Sequence, residues 1–196
     1  MFSKQAPACR GTSSRQPNAA RTVVALCAAT LWLASSVDSS ALDFESRQGP
    51  PQSFILQSVD ARTVDLQSLH GQIVIVHFFA TWCEPCREEL PALQRLAARL
   101  DPRSVKIIAI SVAEVGLRVQ RFLEATPVSF PVLLDQDRAV AKAWNISTLP
   151  STVIIDSGLR PRLMVEHDIF WDRLDPRQIV EMIDEGPSGN DATTKH

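Results

Sequence analysis

The stretch FFATWCEPCREELPAL at residues 78–93 decides the fold, and it places Cys83 and Cys86 three positions apart. It overlaps the run IVIVHFF at 73–79, which is apolar almost throughout and is typical of a central strand covered on both faces. Downstream, apolar residues recur at helical spacing and predict a helix over 84–100, with a buried stripe of Leu90, Leu93, Leu96, Ala97 and Leu100. The cysteine pair therefore lies where a buried strand is followed by a helix.

The position of this pair at a helix start indicates redox chemistry. At a spacing of three, both sulfurs lie on one face of the first helical turn. Cys83 falls at the helix N-terminus, where free backbone N–H groups and the positive end of the dipole stabilise a thiolate, so we expect it to be the attacking nucleophile. Cys86 is expected to be the resolving thiol that closes the disulfide. Since the sulfurs carry the electrons, no cofactor is expected.

A metal site is one alternative interpretation of a C-x-x-C pair. Structural zinc needs four ligands, and no second paired motif accompanies the four histidines, which are His70, His77, His167 and His196. We therefore favour a redox dithiol and expect no metal. Two other functions stay open at this point: a copper or redox chaperone that binds Cu(I) through both thiolates, and a thiol peroxidase. Peroxidase chemistry needs a threonine three positions before the reactive cysteine, whereas Thr81 is two before Cys83.

Composition and patterning predict a single globular domain. The 196 residues are 45% hydrophobic and 21% charged, and the net charge of −2 argues against a nucleic-acid partner. Strand patterns alternate with helix patterns, which predicts one α/β sandwich. The predicted strands are 53–58, 62–66, 73–79, 105–111, 132–134, 151–156 and 162–166. The predicted helices are 84–100, 115–125, 139–144 and 176–184, the last with Asp175 as its N-cap.

Residues 1–41 are predicted to be a targeting segment. A basic leader precedes the uncharged run TVVALCAATLWLA at 22–34, which is the layout of a secretory signal. The run is shorter than the roughly 20 apolar residues of a membrane span, but an uncleaved membrane anchor stays the alternative. Removal of this segment would leave Cys83 and Cys86 as the only thiols of a domain at 42–185 with net charge −5. Residues 186–196 have little to bury and are predicted to be a disordered tail.

A second signal is TLPST at 148–152, directly before the apolar residues VIID. In a fold of this type, Pro150 is expected in the cis form, which turns the backbone N–H and carbonyl of Leu149 toward the dithiol to hold an extended substrate strand. Taken alone, Pro150 is a proline at the start of a strand. Its occurrence after the cysteine pair makes the first interpretation more specific.

Residues 54–184 resemble the TlpA/ResA/DsbE branch of the thioredoxin-like superfamily, the exported, membrane-associated thiol:disulfide oxidoreductases. The matching segments are FILQSVDARTVDLQSLHGQIVIVHFFATWCEPCREELPAL, VKIIAISV, FPVLLDQDRAVAKAWNI and TLPSTVIID. The resemblance implies a thioredoxin-like three-layer α/β/α sandwich with an N-terminal β-hairpin extension. It also implies a periplasmic location and disulfide reduction, often in cytochrome c biogenesis. The implied partners are an exported disulfide-containing client and a membrane-embedded thiol electron donor.

Three further residues near the pair are candidates for the site. Glu89 aligns with an acidic residue that this branch keeps near its active site, and a carboxylate one turn from the Cys86 thiol can accept its proton. The alternative is a solvated helix carboxylate. Trp82 is expected to be a surface aromatic that covers the dithiol and contacts substrate. His77 stands where thioredoxins keep a buried acid, and we favour a core histidine with its hydrogen bonds satisfied over a proton carrier for Cys86.

Overall fold

The apolar run before the cysteine pair forms the central strand of the main sheet. In the computed structural model, which describes residues 44–50 and 53–184, all seven residues of Ile73–Phe79 are buried. This strand pairs in parallel with one neighbour and antiparallel with the other, so both of its edges are hydrogen-bonded. The predicted targeting segment at 1–41 and the predicted tail at 186–196 lie outside the described residues.

The main sheet has six strands in the order β1-β8-β7-β4-β5-β6. A separate antiparallel pair, β2 and β3, forms the N-terminal β-hairpin extension that the resemblance implied. The strands are β1 (Glu45–Ser46), β2 (Ile55–Gln57), β3 (Thr63–Asp65), β4 (Ile73–Phe79), β5 (Val105–Val112), β6 (Val132–Asp135), β7 (Ser151–Ile155) and β8 (Pro161–Val165).

Helices cover both faces of this sheet, which gives the expected α/β/α sandwich. The helices are α1 (Glu84–Ala97), α2 (Gly116–Ala125), α3 (Ala139–Ala143) and α4 (Pro176–Asp184). One face of β4 packs with α1, α2 and α4 around Ile75 and Leu93. The other face packs with α3 around Val76 and Trp144. Because alternate residues of β4 point into the two cores, the strand holds the start of α1 in one position.

Apart from shifts of one or two residues at element ends, two features differ from the sequence prediction. No strand was predicted before residue 53, but Glu45 and Ser46 pair with β8 as an edge strand. Helix α1 ends at Ala97 and not at residue 100, because Arg99 donates its N–H to the Leu96 carbonyl at 2.8 Å in a tighter turn. Pro102 follows this turn and disfavours a helical conformation just before it.

Replacement of Leu93 by Ala tests the packing of α1 on the sheet. Leu93 is completely buried, so we expect Leu93→Ala to lower the free energy of unfolding by about 2–5 kcal/mol. Urea unfolding of the oxidised protein would measure the loss. The control is Arg118→Ala on the exposed face of α2, which should change stability by less than about 0.5 kcal/mol. Equal effects of the two changes would contradict the described packing.

Candidate active site

Cys83 and Cys86 form a disulfide at the N-terminus of α1, with their Cα atoms 5.3 Å apart. Cys83 is the N-cap residue of the helix, and its sulfur accepts a hydrogen bond from the backbone N–H of Cys86 at 3.3 Å. Cys83 retains 6% of its exposure, whereas Cys86 is completely buried. The attacking sulfur must reach another protein and the resolving sulfur need only reach its neighbour, so the roles expected of Cys83 and Cys86 stay predictions.

A groove is lined by Trp82, the residue before Cys83, and by Leu149, the residue before Pro150. The Leu149–Pro150 peptide bond is cis, as the sequence predicted. Leu149 and Trp82 line a groove of about 330 Å³ together with Arg138 of the loop before α3. Trp82 is 66% exposed, in line with the surface position expected of it. Trp82 and Leu149, which were expected to contact substrate, therefore border one groove, whereas Pro150 is not among its lining residues.

Glu114 is a site residue that the sequence analysis missed. It follows β5, is only 3% exposed, and accepts hydrogen bonds from the Thr81 backbone N–H at 2.8 Å and the Thr81 hydroxyl at 2.5 Å. The Ser111 hydroxyl donates to it at 2.9 Å. Since Thr81 lies two residues before Cys83, this carboxylate holds the chain that leads into the disulfide. The sequence did contain a signal for this contact, because Glu114 is an acidic residue just after β5, a buried strand parallel to β4. Parallel strands end at the same edge of the sheet, so the residues after β5 lie near those that follow β4.

Glu89 is a buried residue of α1, the helix that begins at the dithiol, which excludes the alternative of a solvated carboxylate. It is 3% exposed, and its Oε1 accepts hydrogen bonds from the Trp171 indole N–H and from the Ile169 backbone N–H, the latter at 3.2 Å. The pKa of Glu89 is raised to about 7, mainly by burial and to a smaller extent by the nearby charge of Asp168. The hydrogen bonds from Ile169 and Trp171 act in the opposite direction and lower it. A carboxyl that titrates near neutrality can both take up and release a proton at that pH.

His77 lies in β4 with its side chain fully buried, and only one of its ring nitrogens has a partner. Its Nδ1 is 2.9 Å from the Thr152 hydroxyl oxygen. Its Nε2 has no hydrogen-bond partner in the described part of the chain and lies 4.0 Å from Glu89 Oε2. Burial lowers the pKa of His77 to about 3, so the ring is neutral at physiological pH. The favoured prediction of a fully satisfied core histidine is therefore wrong for Nε2.

The described residues hold neither a cluster of potential metal ligands nor a membrane-spanning helix. Within residues 44–50 and 53–184, no group of three or more His, Cys, Asp or Glu side chains is placed to hold a metal ion. Within the same ranges, no helix has the length and apolar character needed to cross a membrane. The predicted N-terminal anchor or signal lies outside these ranges.

The fold and the site define a thioredoxin-like protein with a disulfide at the start of α1 and a cis peptide bond before Pro150. The chain belongs to the AhpC/TSA family, whose profile matches residues 48–159. It is similar to the thiol-disulfide oxidoreductase ResA of Oceanobacillus iheyensis, with 33% identity over 139 residues, 71% of this chain and 69% of that relative. These findings confirm the resemblance that the sequence indicated.

Two further comparisons agree with this assignment. ResA of Bacillus subtilis is 36% identical over 103 residues, which are 53% of this chain and 58% of that relative. The chain thus matches less than two thirds of that protein's length. The crystal structure of a putative thiol:disulfide interchange protein DsbE from Chlorobium tepidum aligns with a TM-score of 0.63 at 21% identity, covering 70% of this chain and 97% of that one. This likeness confirms the thioredoxin-like fold.

Removal of the Glu114 side chain should destabilise the segment around Thr81 that leads into the dithiol. Glu114→Ala leaves two hydroxyls and one backbone N–H without their acceptor, so we expect the free energy of unfolding to fall by about 1–3 kcal/mol. Denaturant unfolding monitored by tryptophan fluorescence would measure it. Glu124→Ala, an exposed acid on α2, is the matched control. A loss no larger than that of the control would show that Glu114 does not hold this segment.

The titration of Glu89 should make stability depend on pH. Its pKa is about 7 in the folded protein and 4.5 for the unperturbed group, so the folded state binds more protons between these values and stability falls as pH rises through them. Relative to Glu89→Gln, the wild type should lose about 2–3 kcal/mol of unfolding free energy from pH 4.5 to 7. Urea unfolding of both proteins across this range measures the difference. A constant difference would contradict the raised pKa.

Proposed function

We propose that this protein is an exported thiol:disulfide oxidoreductase that reduces disulfides of periplasmic client proteins. The observation that carries the proposal is the Cys83–Cys86 disulfide at the N-terminus of α1, with one sulfur near the surface and the other buried. A thiolate at a helix N-terminus is stabilised by free N–H groups and by the helix dipole. The relatives named thiol-disulfide oxidoreductase support the same reaction class.

The reaction begins from the reduced pair. The Cys83 thiolate attacks one sulfur of the client disulfide, the client S–S bond breaks, and a mixed disulfide forms while the first client thiolate leaves. Cys86 then loses its proton and attacks the Cys83 sulfur. The mixed disulfide breaks, the second client thiolate leaves, and the Cys83–Cys86 bond forms. Two electrons pass from the pair to the client, and no other cofactor is needed.

Glu89 is the proposed acceptor of the Cys86 proton in the second step. It lies three residues after Cys86 on the same helix, so the two side chains project from one face. Its pKa of about 7 means that a large fraction of the molecules hold it ionised at neutral pH and that the protonated form is also accessible. Both properties are needed in a group that takes a proton from a buried thiol and later returns it to solvent.

The groove between Trp82 and Leu149 is the proposed docking position of the client chain. The cis bond before Pro150 orients the Leu149 backbone for pairing with an extended strand, and the exposed Trp82 ring supplies apolar contact area. A client disulfide held by this groove would present its sulfur to Cys83. Pro150 and Leu149 thus act in positioning, whereas the cysteines carry the electrons.

The cell biology of the proposal follows from the predicted export segment. A reductant in an oxidising compartment needs a supply of electrons, so we infer a membrane-embedded thiol donor that reduces the Cys83–Cys86 bond. Cytochrome c biogenesis or a related maturation of periplasmic proteins is the proposed context. The location would be the periplasm, with the protein free or held at the inner membrane by its N-terminal segment.

Equilibration of the Cys83–Cys86 pair with a dithiothreitol redox buffer should give a reduction potential near that of thioredoxin, about −270 mV. A value near −120 mV would indicate an oxidant and would contradict the proposed direction of the reaction.

Trapping of the mixed disulfide tests the reaction directly. The full chain carrying Cys86→Ser, expressed in an exporting bacterium, should accumulate covalent adducts that dithiothreitol releases, because Cys83 can attack but nothing resolves the product. Cys83→Ser is the matched control and should give no adducts, since the buried Cys86 cannot reach a client. Non-reducing gel electrophoresis measures both. Absence of adducts from Cys86→Ser would overturn the proposed function.

A further inference from the structure

Two buried polar atoms without partners face each other beneath the dithiol helix. They are His77 Nε2 and Glu89 Oε2, the two buried side-chain nitrogen or oxygen atoms in the described residues that make no hydrogen bond. The atoms are 4.0 Å apart, and both side chains are almost completely enclosed, with exposures of 0% and 2%. An unpaired buried polar atom is costly, and two of them aimed at each other indicate a hydrogen bond that forms in another protonation state.

The other polar atoms of both side chains are already held. Glu89 Oε1 accepts from Trp171 and Ile169, which fixes the carboxyl group between α1 and the segment before α4. His77 Nδ1 contacts the hydroxyl of Thr152, its directly opposite neighbour on β7, at 2.9 Å. A hydroxyl can either donate or accept, so Thr152 is able to match either tautomer of a neutral ring. Glu89 Oε1 thus always accepts hydrogen bonds, whereas the hydrogen bond between His77 Nδ1 and Thr152 can run in either direction.

We propose that Thr152, His77 and Glu89 form a proton-linked unit in which the neutral imidazole changes tautomer whenever the carboxyl group gains or loses a proton. With Glu89 ionised, Nε2–H donates to Oε2 and the Thr152 hydroxyl donates to Nδ1. With Glu89 protonated, its O–H donates to Nε2 and Nδ1–H donates to the Thr152 oxygen. The unit takes up one proton between these forms, and the ring stays uncharged. An approach of about 1 Å between the two facing atoms completes the hydrogen bond.

This inference rests on the proposed function and deepens it, because it assigns His77 as a positioning residue for the proton step. Cys86–SH gives its proton to the Glu89 carboxylate and becomes the thiolate that attacks the mixed disulfide. The proton then resides on Oε2, the ring proton has moved from Nε2 to Nδ1 beside the Thr152 oxygen, and Nε2 accepts the hydrogen bond of the protonated carboxyl group. Without that acceptor, a protonated carboxyl at this depth would leave its donor unpaired. His77 therefore keeps Glu89 hydrogen-bonded both before and after the transfer.

The proposed unit borders a groove on the side of Glu89 and uncharged side chains on the side of His77. A groove of about 240 Å³ reaches Glu89 between α1 and the 168–172 segment, and its charged lining residues are Glu88, Arg95, Asp168 and Asp172. Of these, Asp168 acts on the charge of Glu89, and Arg95 is paired with Asp172 at 2.8 Å. On the side of β4, the ring of His77 stacks on Phe79 and meets Thr152, which are both uncharged. Glu89 is thus the titrating group of the unit.

Nitrogen NMR of the His77 ring tests the tautomer change without any enzyme assay. In the oxidised full-length protein labelled with ¹⁵N-histidine, we expect the ring proton on Nε2 well above pH 7 and on Nδ1 well below it. The ring should stay neutral down to about pH 4, in keeping with its low pKa. Glu89→Gln should abolish the change of tautomer with pH. One tautomer throughout pH 5–9, or a ring that becomes charged near pH 6, would overturn the proposal.

A pair of Thr152 variants supplies the second test. Thr152→Val removes the acceptor of Nδ1–H, and a buried N–H is seldom left unpaired, so the Nε2–H tautomer and the ionised form of Glu89 should be favoured. We expect the midpoint of the Glu89 titration, followed by ¹³C NMR of its carboxyl carbon, to fall by about one pH unit. Thr152→Ser keeps the hydroxyl and should restore it. A midpoint in Thr152→Val equal to that of the wild type would contradict the role of Thr152.

The kinetic readout separates this inference from the proposed function. The release of the mixed disulfide by Cys86 should show a pH profile that moves with the Glu89 midpoint in Thr152→Val and returns in Thr152→Ser. If the contact between Thr152 and His77 were merely structural, Thr152→Val would lower the stability of the protein without moving that pH profile. If the wild type forms no mixed disulfide at all, the proposed function fails, whereas the NMR result still decides the tautomer change.

Discussion

The junction between a fully buried strand and the helix that follows it governs the rest of this structure. Strand β4 is paired on both edges and packed on both faces, so it cannot shift without opening two cores. It therefore holds Cys83 at the N-terminus of α1, where its sulfur accepts a hydrogen bond from the backbone N–H of Cys86 and is bonded to the Cys86 sulfur. The Glu114 carboxylate adds a second restraint to the same segment, because it binds both the backbone and the side chain of Thr81.

The chemistry of the site depends on how unevenly water reaches it. Cys83 and Trp82 lie toward the surface, whereas Cys86, Glu89 and His77 are enclosed by α1 and β4. Enclosure acts in opposite directions on the two ionisable groups: it raises the pKa of the acid Glu89 and lowers that of the base His77, since it disfavours the charged form of each. Both groups are therefore held neutral over much of the acidic range, and only Glu89 changes charge near neutral pH.

Most of the fold could be predicted because its signals are local. The apolar run of β4, the helical spacing of leucines in α1 and the Pro176 start of α4 agree with the structure to within a few residues. The cysteine pair was also predictable from its residue types and spacing, whereas the cis form of Pro150 followed from the expected fold type. The pairing of Glu45 with β8 was not, because a two-residue edge strand has no pattern of its own and forms only where a partner strand is exposed.

The sequence by itself determined the α/β sandwich, the position of the two sulfurs at the start of α1 and the acid one turn after Cys86. Each of these features is set by residues within one or two elements. Tertiary structure alone decided what surrounds that acid. Trp171, which is 82 residues away, donates to Glu89, and Thr152 on another strand holds His77 beside it. Burial and hydrogen-bond partners come from segments distant in the chain, and no spacing along the sequence encodes which of them will meet.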